Sequence, residues 1–203
     1  MVWTAVGSLL IIAAGKLQKQ IRRQFADEFF GGELACLRHP ARDLLPAMKE
    51  LPHTYSCFCC GEANAAGLRL RLETDGSIVQ THLRFKPEHT GFKAVVHGGL
   101  IATVLDEVMA WACAVGARRF AYCAEFTLRF LKPIRPNQEI IATAELVANR
   151  KNRVLDTKGA LRSPSGQILA EATGKYLPVS TNDLTQMATD LVGDADWLLK
   201  GSD

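Results

Sequence analysis

From Gly98 to Ala117 the chain is apolar almost without a break, interrupted by Thr103, Asp106 and Glu107 and closed by Arg118-Arg119. At 1.5 Å per residue this reads as a helix of about five turns. A helix apolar on nearly every side has to be covered on nearly every side. The flanking segments say what covers it. Upstream, Leu68-Arg69-Leu70-Arg71-Leu72 alternates, as do Val79, Thr81, Leu83 and Phe85 against Gln80, His82 and Arg84, with Thr74-Asp75-Gly76-Ser77 as the turn between them. Downstream come four more strand segments, Tyr122 to Leu131, Glu139 to Ala148, Arg153 to Leu161 and Gln167 to Leu177. Lys132-Pro133, Asn149-Arg150-Lys151-Asn152 and Ser163-Pro164-Ser165-Gly166 separate them. Consecutive hairpins around a single apolar helix predict an α+β fold, an antiparallel sheet of about six strands wrapped on one long helix.

The ends of the chain read differently. Val2 to Ala14 is mostly apolar, and Leu10, Ala14, Leu17, Ile21, Phe25 and Phe29 recur at helical spacing before Gly31-Gly32. The run is shorter than the roughly 20 apolar residues of a spanning helix. Lys16, Lys19, Arg22 and Arg23 follow it, the reverse of a secretory signal. Residues 2–29 are therefore expected to form an amphipathic helix, either packed on the domain or a partner subunit or making weak contact with a membrane surface. Residues 33–56 are broken by Pro40, Pro46 and Pro52. Leu184, Met187 and Leu191 lie at helical spacing in the polar C-terminal stretch and predict a peripheral helix there. The expected organisation is an N-terminal extension over 1–54, one domain over 55–179 and a C-terminal helical piece over 180–203.

Composition narrows the class. With 24 Lys+Arg against 21 Asp+Glu, the net charge of +3 gives no dense basic face for nucleic acid. A chain that is 48% hydrophobic and 22% charged is not disordered. Six cysteines, Cys36, Cys57, Cys59, Cys60, Cys113 and Cys123, are too sparse for a disulfide scaffold and suit a reducing, cytoplasmic setting.

The chemistry concentrates at the start of the apolar helix. Gly98 and Gly99 at a helix N-terminus let a substrate approach the backbone and leave outward N–H groups that would stabilise an oxyanion. Asp106 lies within the apolar run, where a carboxylate is costly unless paired or used, and burial suits it to general-base work. Glu107, about 100° further round the helix, is the second carboxylate, either paired with an arginine or facing substrate. His97 either orders the loop through its ring nitrogens or touches substrate. Eight residues separate Gly98 from Asp106, about 12 Å along a helix. A base and an oxyanion donor acting on one carbonyl must both lie within about 3 Å of its atoms. If both act, they come from different protomers related by a two-fold axis.

Cys57-Phe58-Cys59-Cys60-Gly61, Gly67-Leu68-Arg69-Leu70 and Val96-His97-Gly98-Gly99 followed by Asp106-Glu107 together resemble the hotdog-fold acyl-CoA thioesterases. The nearest branch is the phenylacetate-pathway and 4-hydroxybenzoyl-CoA thioesterase group, and the likeness covers about residues 55–178. It implies the hotdog fold and a homodimer or dimer of dimers with active sites at the protomer interface. It also implies that the Gly98 amide polarises a thioester carbonyl while Asp106 of the partner subunit activates water or attacks directly. The family's downstream Ser/Thr, which positions water, falls on Cys123, with Glu125 and Thr127 close by. The Asn or Gln of some members falls near Gly91.

A CoA substrate needs partners for its phosphates, and Arg150, Lys151 and Arg153 form the densest basic turn. With Glu107 and Thr127 they are the expected substrate contacts. Cys57 and Cys60 have metal-ligand spacing, with His53 and Cys59 near enough to complete a set. The lack of a second Cys-x-x-Cys and the adjacency of Cys59 and Cys60 favour packing thiols instead, and no metal or cofactor is expected. The leading functional class is a thioester hydrolase. A non-catalytic acyl-CoA-binding protein is the alternative, and a hydratase is disfavoured because no Asp is followed five residues later by His.

Overall fold

The computed structural model describes residues 47–199. The chain divides into Met1–Leu44 and Leu45–Asp203. The amphipathic helix expected over 2–29 falls outside the described residues, and so does Cys36.

The apolar run forms α1, Gly98–Ala117, as its pattern predicts. His97 caps its start in an extended conformation, and Arg118 ends it with a left-handed φ of 55°. Val104, Leu105, Val108, Met109, Ala112, Cys113 and Ala114 are all essentially inaccessible. The covering layer comes from β1 (Lys49–Glu50), β3 (Glu73–Thr74), β4 (Ile78–Arg84), β5 (Ala121–Phe130), β6 (Glu139–Arg150), β7 (Val154–Arg162) and β8 (Ile168–Pro178). Together they make a seven-stranded antiparallel sheet in the order β1-β3-β4-β6-β7-β8-β5. The long strands alternate as expected: Val79, Ile140, Ala142, Leu155, Leu161 and Tyr176 are buried with the helix in a single core. By length and a mean hydropathy of 1.6, α1 would also suit a bilayer, but here the sheet covers more than half of it. The architecture is the expected hotdog, one long helix held against a curved antiparallel sheet.

Chain order and spatial order diverge at β5. It follows α1 directly, yet it lies at the far edge of the sheet, paired only with β8. Its other edge is unpaired, and Tyr122 and Phe130 at its two ends are 54% and 57% exposed.

Three expectations need correction. The sheet has seven strands, because Lys49–Glu50 in the proline-rich stretch adds β1. Leu68–Leu72 is not a ladder strand; regular pairing begins at Glu73. Arg69 has a left-handed φ of 55°, and the amides of Leu68 and Leu70 bond to the carbonyls of Phe58 and Cys59. Leu70 and Leu72 are nonetheless buried, so the alternation marked burial correctly but not pairing. Finally, the C-terminal helix α2, Thr181–Ala188, stops short of Leu191. Leu191–Val192 forms β9, which pairs with β2 (His53–Thr54), and a last turn of helix, α3 (Asp196–Leu199), buries Leu198.

Candidate functional site

The start of α1 is built by its two flanking loops. The His97 amide donates to the His89 carbonyl at 2.9 Å, and His97 Nδ1 accepts the Gly99 amide at 2.9 Å. His97 therefore takes the ordering role, and the Gly99 amide is engaged within the protein, which removes it as an oxyanion donor. The Gly98 amide has no hydrogen-bond partner among the described residues. It borders an open cleft of about 270 Å³ lined by Gly91, Phe92, Val96, His97 and Gly98. The Phe130 ring from the end of β5 packs over Gly98, and a Cβ there would sit 3.1 Å from its Cζ. Only a glycine lets the ring and the helix start approach this closely.

Two turns along, the half-buried Asp106 faces β5 and β8. Its Oδ1 accepts a 2.8 Å hydrogen bond from the Tyr176 hydroxyl, and the Cys123 thiol, which donates to the Glu125 carbonyl at 3.8 Å, lies close enough to feel its charge. Cys123 and Tyr176 are register partners across the β5–β8 ladder, so strand pairing brings both to Asp106. Burial, reinforced by Asp106's negative charge, pushes the Tyr176 phenol up. The same two causes raise the Cys123 thiol. Both groups thus stay protonated and able to donate a hydrogen bond toward it. Cys113, about two turns beyond Asp106, is pushed up to about 12 by burial, then by Cys123 and Asp106. It is a core thiol beside the cluster.

Glu107 points elsewhere. Trp111 Nε1 donates to its Oε1 at 3.1 Å, and Cys57 Sγ lies 4.0 Å from its Oε2. No ion pair among the described residues involves it. Desolvation first, then the charge of Cys57, raises its carboxyl to about 7.

The other expected contacts are dispersed. Thr127 follows the inward-facing Phe126 and precedes the inward-facing Leu128, so strand alternation turns it to the face away from α1. Arg150, Lys151 and Arg153 occupy the exposed β6–β7 tip, where Arg150 Nε pairs with Asp156 at 2.6 Å. Leu146 near that tip packs against Gly116 at the C-terminal end of α1. The basic turn therefore lies at the opposite end of the helix from Gly98, about 30 Å away within one protomer. The structure unites Asp106 with Cys123, and His97 with Gly98 and Gly99. Sequence reasoning missed Tyr176, whose signal was a hydroxyl-bearing ring on a strand face otherwise made of Ala170, Ala172 and Gly174.

Comparison with known proteins places this geometry. The family described as the thioesterase superfamily matches residues 93–158, from the loop before α1 into β7. One solved thioesterase superfamily protein is 26% identical over 61% of this chain and 60% of its own length, with a TM-score of 0.57. The match thus spans about three fifths of that relative. The E. coli PaaI protein from the phenylacetic acid degradation operon is 19% identical over 59% of this chain and 86% of its own, with a TM-score of 0.52. Zebra fish thioesterase superfamily member 2 is 15% identical over 58% and 90%, also at 0.52. Among curated proteins no match is found.

Proposed function

Since residues 93–158 match the thioesterase superfamily, we propose that the protein hydrolyses the thioester of an acyl-CoA or a related acyl carrier, with each site shared between two protomers. The observation that carries this reading is the Asp106 carboxylate, held in an apolar helix by the Tyr176 hydroxyl with the protonated Cys123 thiol beside it.

Asp106 takes a proton from water as the oxygen attacks the thioester carbon, or attacks that carbon itself. The C–S bond then breaks and the departing sulfur takes up a proton, giving the thiol together with the free acid on the water route, or with a mixed anhydride on Asp106 that a water molecule then hydrolyses to the acid. The developing oxyanion requires a donor that Asp106's own protomer does not hold nearby. The unpartnered Gly98 amide supplies it from the second protomer, aided by the positive end of the α1 dipole.

The edge of β5 supports how the two meet. An exposed ten-residue edge strand is a template for pairing unless another chain covers it. In each protomer Phe130 packs over Gly98 and Cys123 lies beside Asp106. A two-fold axis passing midway along β5 sets Phe130 of one copy opposite Cys123 of the other. That operation brings Gly98 of one protomer toward Asp106 of the partner subunit. Five free thiols among the described residues support a cytoplasmic setting.

Thiol release from short, medium, long and aromatic acyl-CoAs tests the activity, with Asp106→Asn expected to lose about 10²-fold or more. Equal rates in both proteins, or binding without hydrolysis by wild type, would sink the reading. Sharing is tested by mixing Asp106→Asn with Gly98→Pro. Proline suits the first helical position and His97 already has the extended backbone it requires, so the change removes the amide, while the shift its Cβ imposes on the exposed Phe130 ring is reproduced with the amide kept in Gly98→Ala, which should retain activity. Each mixed dimer regains one intact site, and random pairing should restore about a quarter of wild-type activity. A site contained in one protomer would restore none.

A further inference from the structure

The cysteine turn ahead of the sheet takes no part in that chemistry, yet it is built with unusual care. Cys57-Phe58-Cys59-Cys60-Gly61 is closed by the Gly61 amide on the Cys57 carbonyl at 2.9 Å. A Cβ on Gly61 would lie 2.4 Å from that oxygen, so the turn is this tight only because residue 61 is glycine. The Cys59 amide donates to Cys57 Sγ at 3.2 Å, the arrangement that stabilises a thiolate. Cys59 and Cys60 are buried.

The sequence suggested His53 as a further ligand, but His53 Nε2 faces Glu62 at 3.5 Å instead. The fourth donor comes from α1. Sulfurs of Cys57 and Cys59 and a carboxylate oxygen of Glu107 all lie within 4.8 Å of one another. Cys60, buried on the same turn, stands at metal-ligand spacing from Cys57. Three of the four donors are thus already gathered, and Cys60 turns toward them from its contact with Thr54. Around them stands an orienting shell. Trp111 holds Glu107 Oε1 and leaves Oε2 toward Cys57, Thr54 Oγ1 lies 3.4 Å from Cys60 Sγ, and Arg71 Nη1 donates to the Cys60 carbonyl at 2.8 Å.

We propose that Cys57, Cys59, Cys60 and Glu107 form a closed structural site for zinc. Three thiol sulfurs and one carboxylate, with no cationic side chain among the described residues paired to Glu107, call for a compact thiophilic divalent cation. Zinc–sulfur bonds of about 2.3 Å put tetrahedral ligands about 3.8 Å apart, a contraction that side-chain rotation supplies. The ion ties the segment before the sheet to the helix that carries Asp106. It is independent of the proposed hydrolysis, since Glu107 and Asp106 face different neighbours.

The test uses the full chain purified without chelators. One zinc per chain by mass spectrometry of the metal is expected. Zinc-stripped protein titrated with cobalt should develop thiolate-to-metal charge transfer and the visible bands of tetrahedral coordination. Cys57→Ser should abolish both, Cys113→Ser should leave them intact, and Glu107→Gln should shift the visible bands. Should Cys57→Ser fail to fold, the cobalt spectrum of wild type decides alone. Wild type with no zinc and no charge-transfer band overturns the site, as does a Cys57–Cys60 disulfide in reduced-buffer preparations. A cobalt spectrum unchanged by Glu107→Gln overturns the assigned ligand set.

Discussion

Asp106 illustrates how an apolar helix keeps a carboxylate ready. The Tyr176 hydroxyl at 2.8 Å supplies stabilisation that water would otherwise give. Removing the phenol oxygen should therefore misplace the carboxylate without emptying the core. Tyr176→Phe is expected to lower kcat about tenfold or more, the equivalent of a hydrogen bond to a charged group at about 1.5–3 kcal/mol. KM and far-ultraviolet circular dichroism should barely change; an unaltered kcat would remove Tyr176 from the site. Asp106 stood out in the sequence because a charge in an apolar run must be paired or used, and the structure pairs it with Tyr176. His97 was legible as a cap or contact, and its Nδ1 bond to Gly99 shows the cap. Tyr176 was not legible, since a strand tyrosine 70 residues away reads as ordinary core until the β5–β8 register sets it beside Cys123. Thr127 misled for the opposite reason, being near in sequence but turned outward by strand alternation.

At the scale of elements, α1 is the common support of everything described. Leu105 is fully buried one residue before Asp106. Leu105→Ala should cost about 2–5 kcal/mol, read as a lower guanidinium midpoint with an unchanged m value. A shift in m would instead mean that the helix had loosened. The helix and the long strands could be read from periodicity because burial writes a repeating pattern into the chain. Leu68–Leu72 shows where that reading fails. Its leucines are buried as a strand's would be, but the left-handed backbone at Arg69 diverts its amides to the cysteine turn. Alternation reports which side chains are covered and is silent on which backbone they bond. Short elements such as β1, β2 and β9 carry too few residues to write any period at all.

For the whole molecule, the proposed sharing of the site across the free edge of β5 predicts that activity depends on a second copy. Sedimentation should give a dimer or a multiple of it. Specific activity should fall when the protein is diluted below its association range, whereas a catalyst complete in one chain would keep a constant rate per chain. A different consequence follows from the small β2–β9 sheet. There the Asp190 carbonyl accepts from the Tyr55 amide at 2.7 Å, and the Asp190 carboxylate accepts from the Ser56 hydroxyl at 2.6 Å, immediately before Cys57. During synthesis the cysteine turn emerges from the ribosome long before the residues that clamp its flank. The turn must wait, exposed and reactive, until Asp190 has left the exit tunnel. A nascent chain stalled between the two should thus present its thiols to small alkylating reagents that the finished protein excludes, which makes this turn a built-in timer of the moment the fold closes.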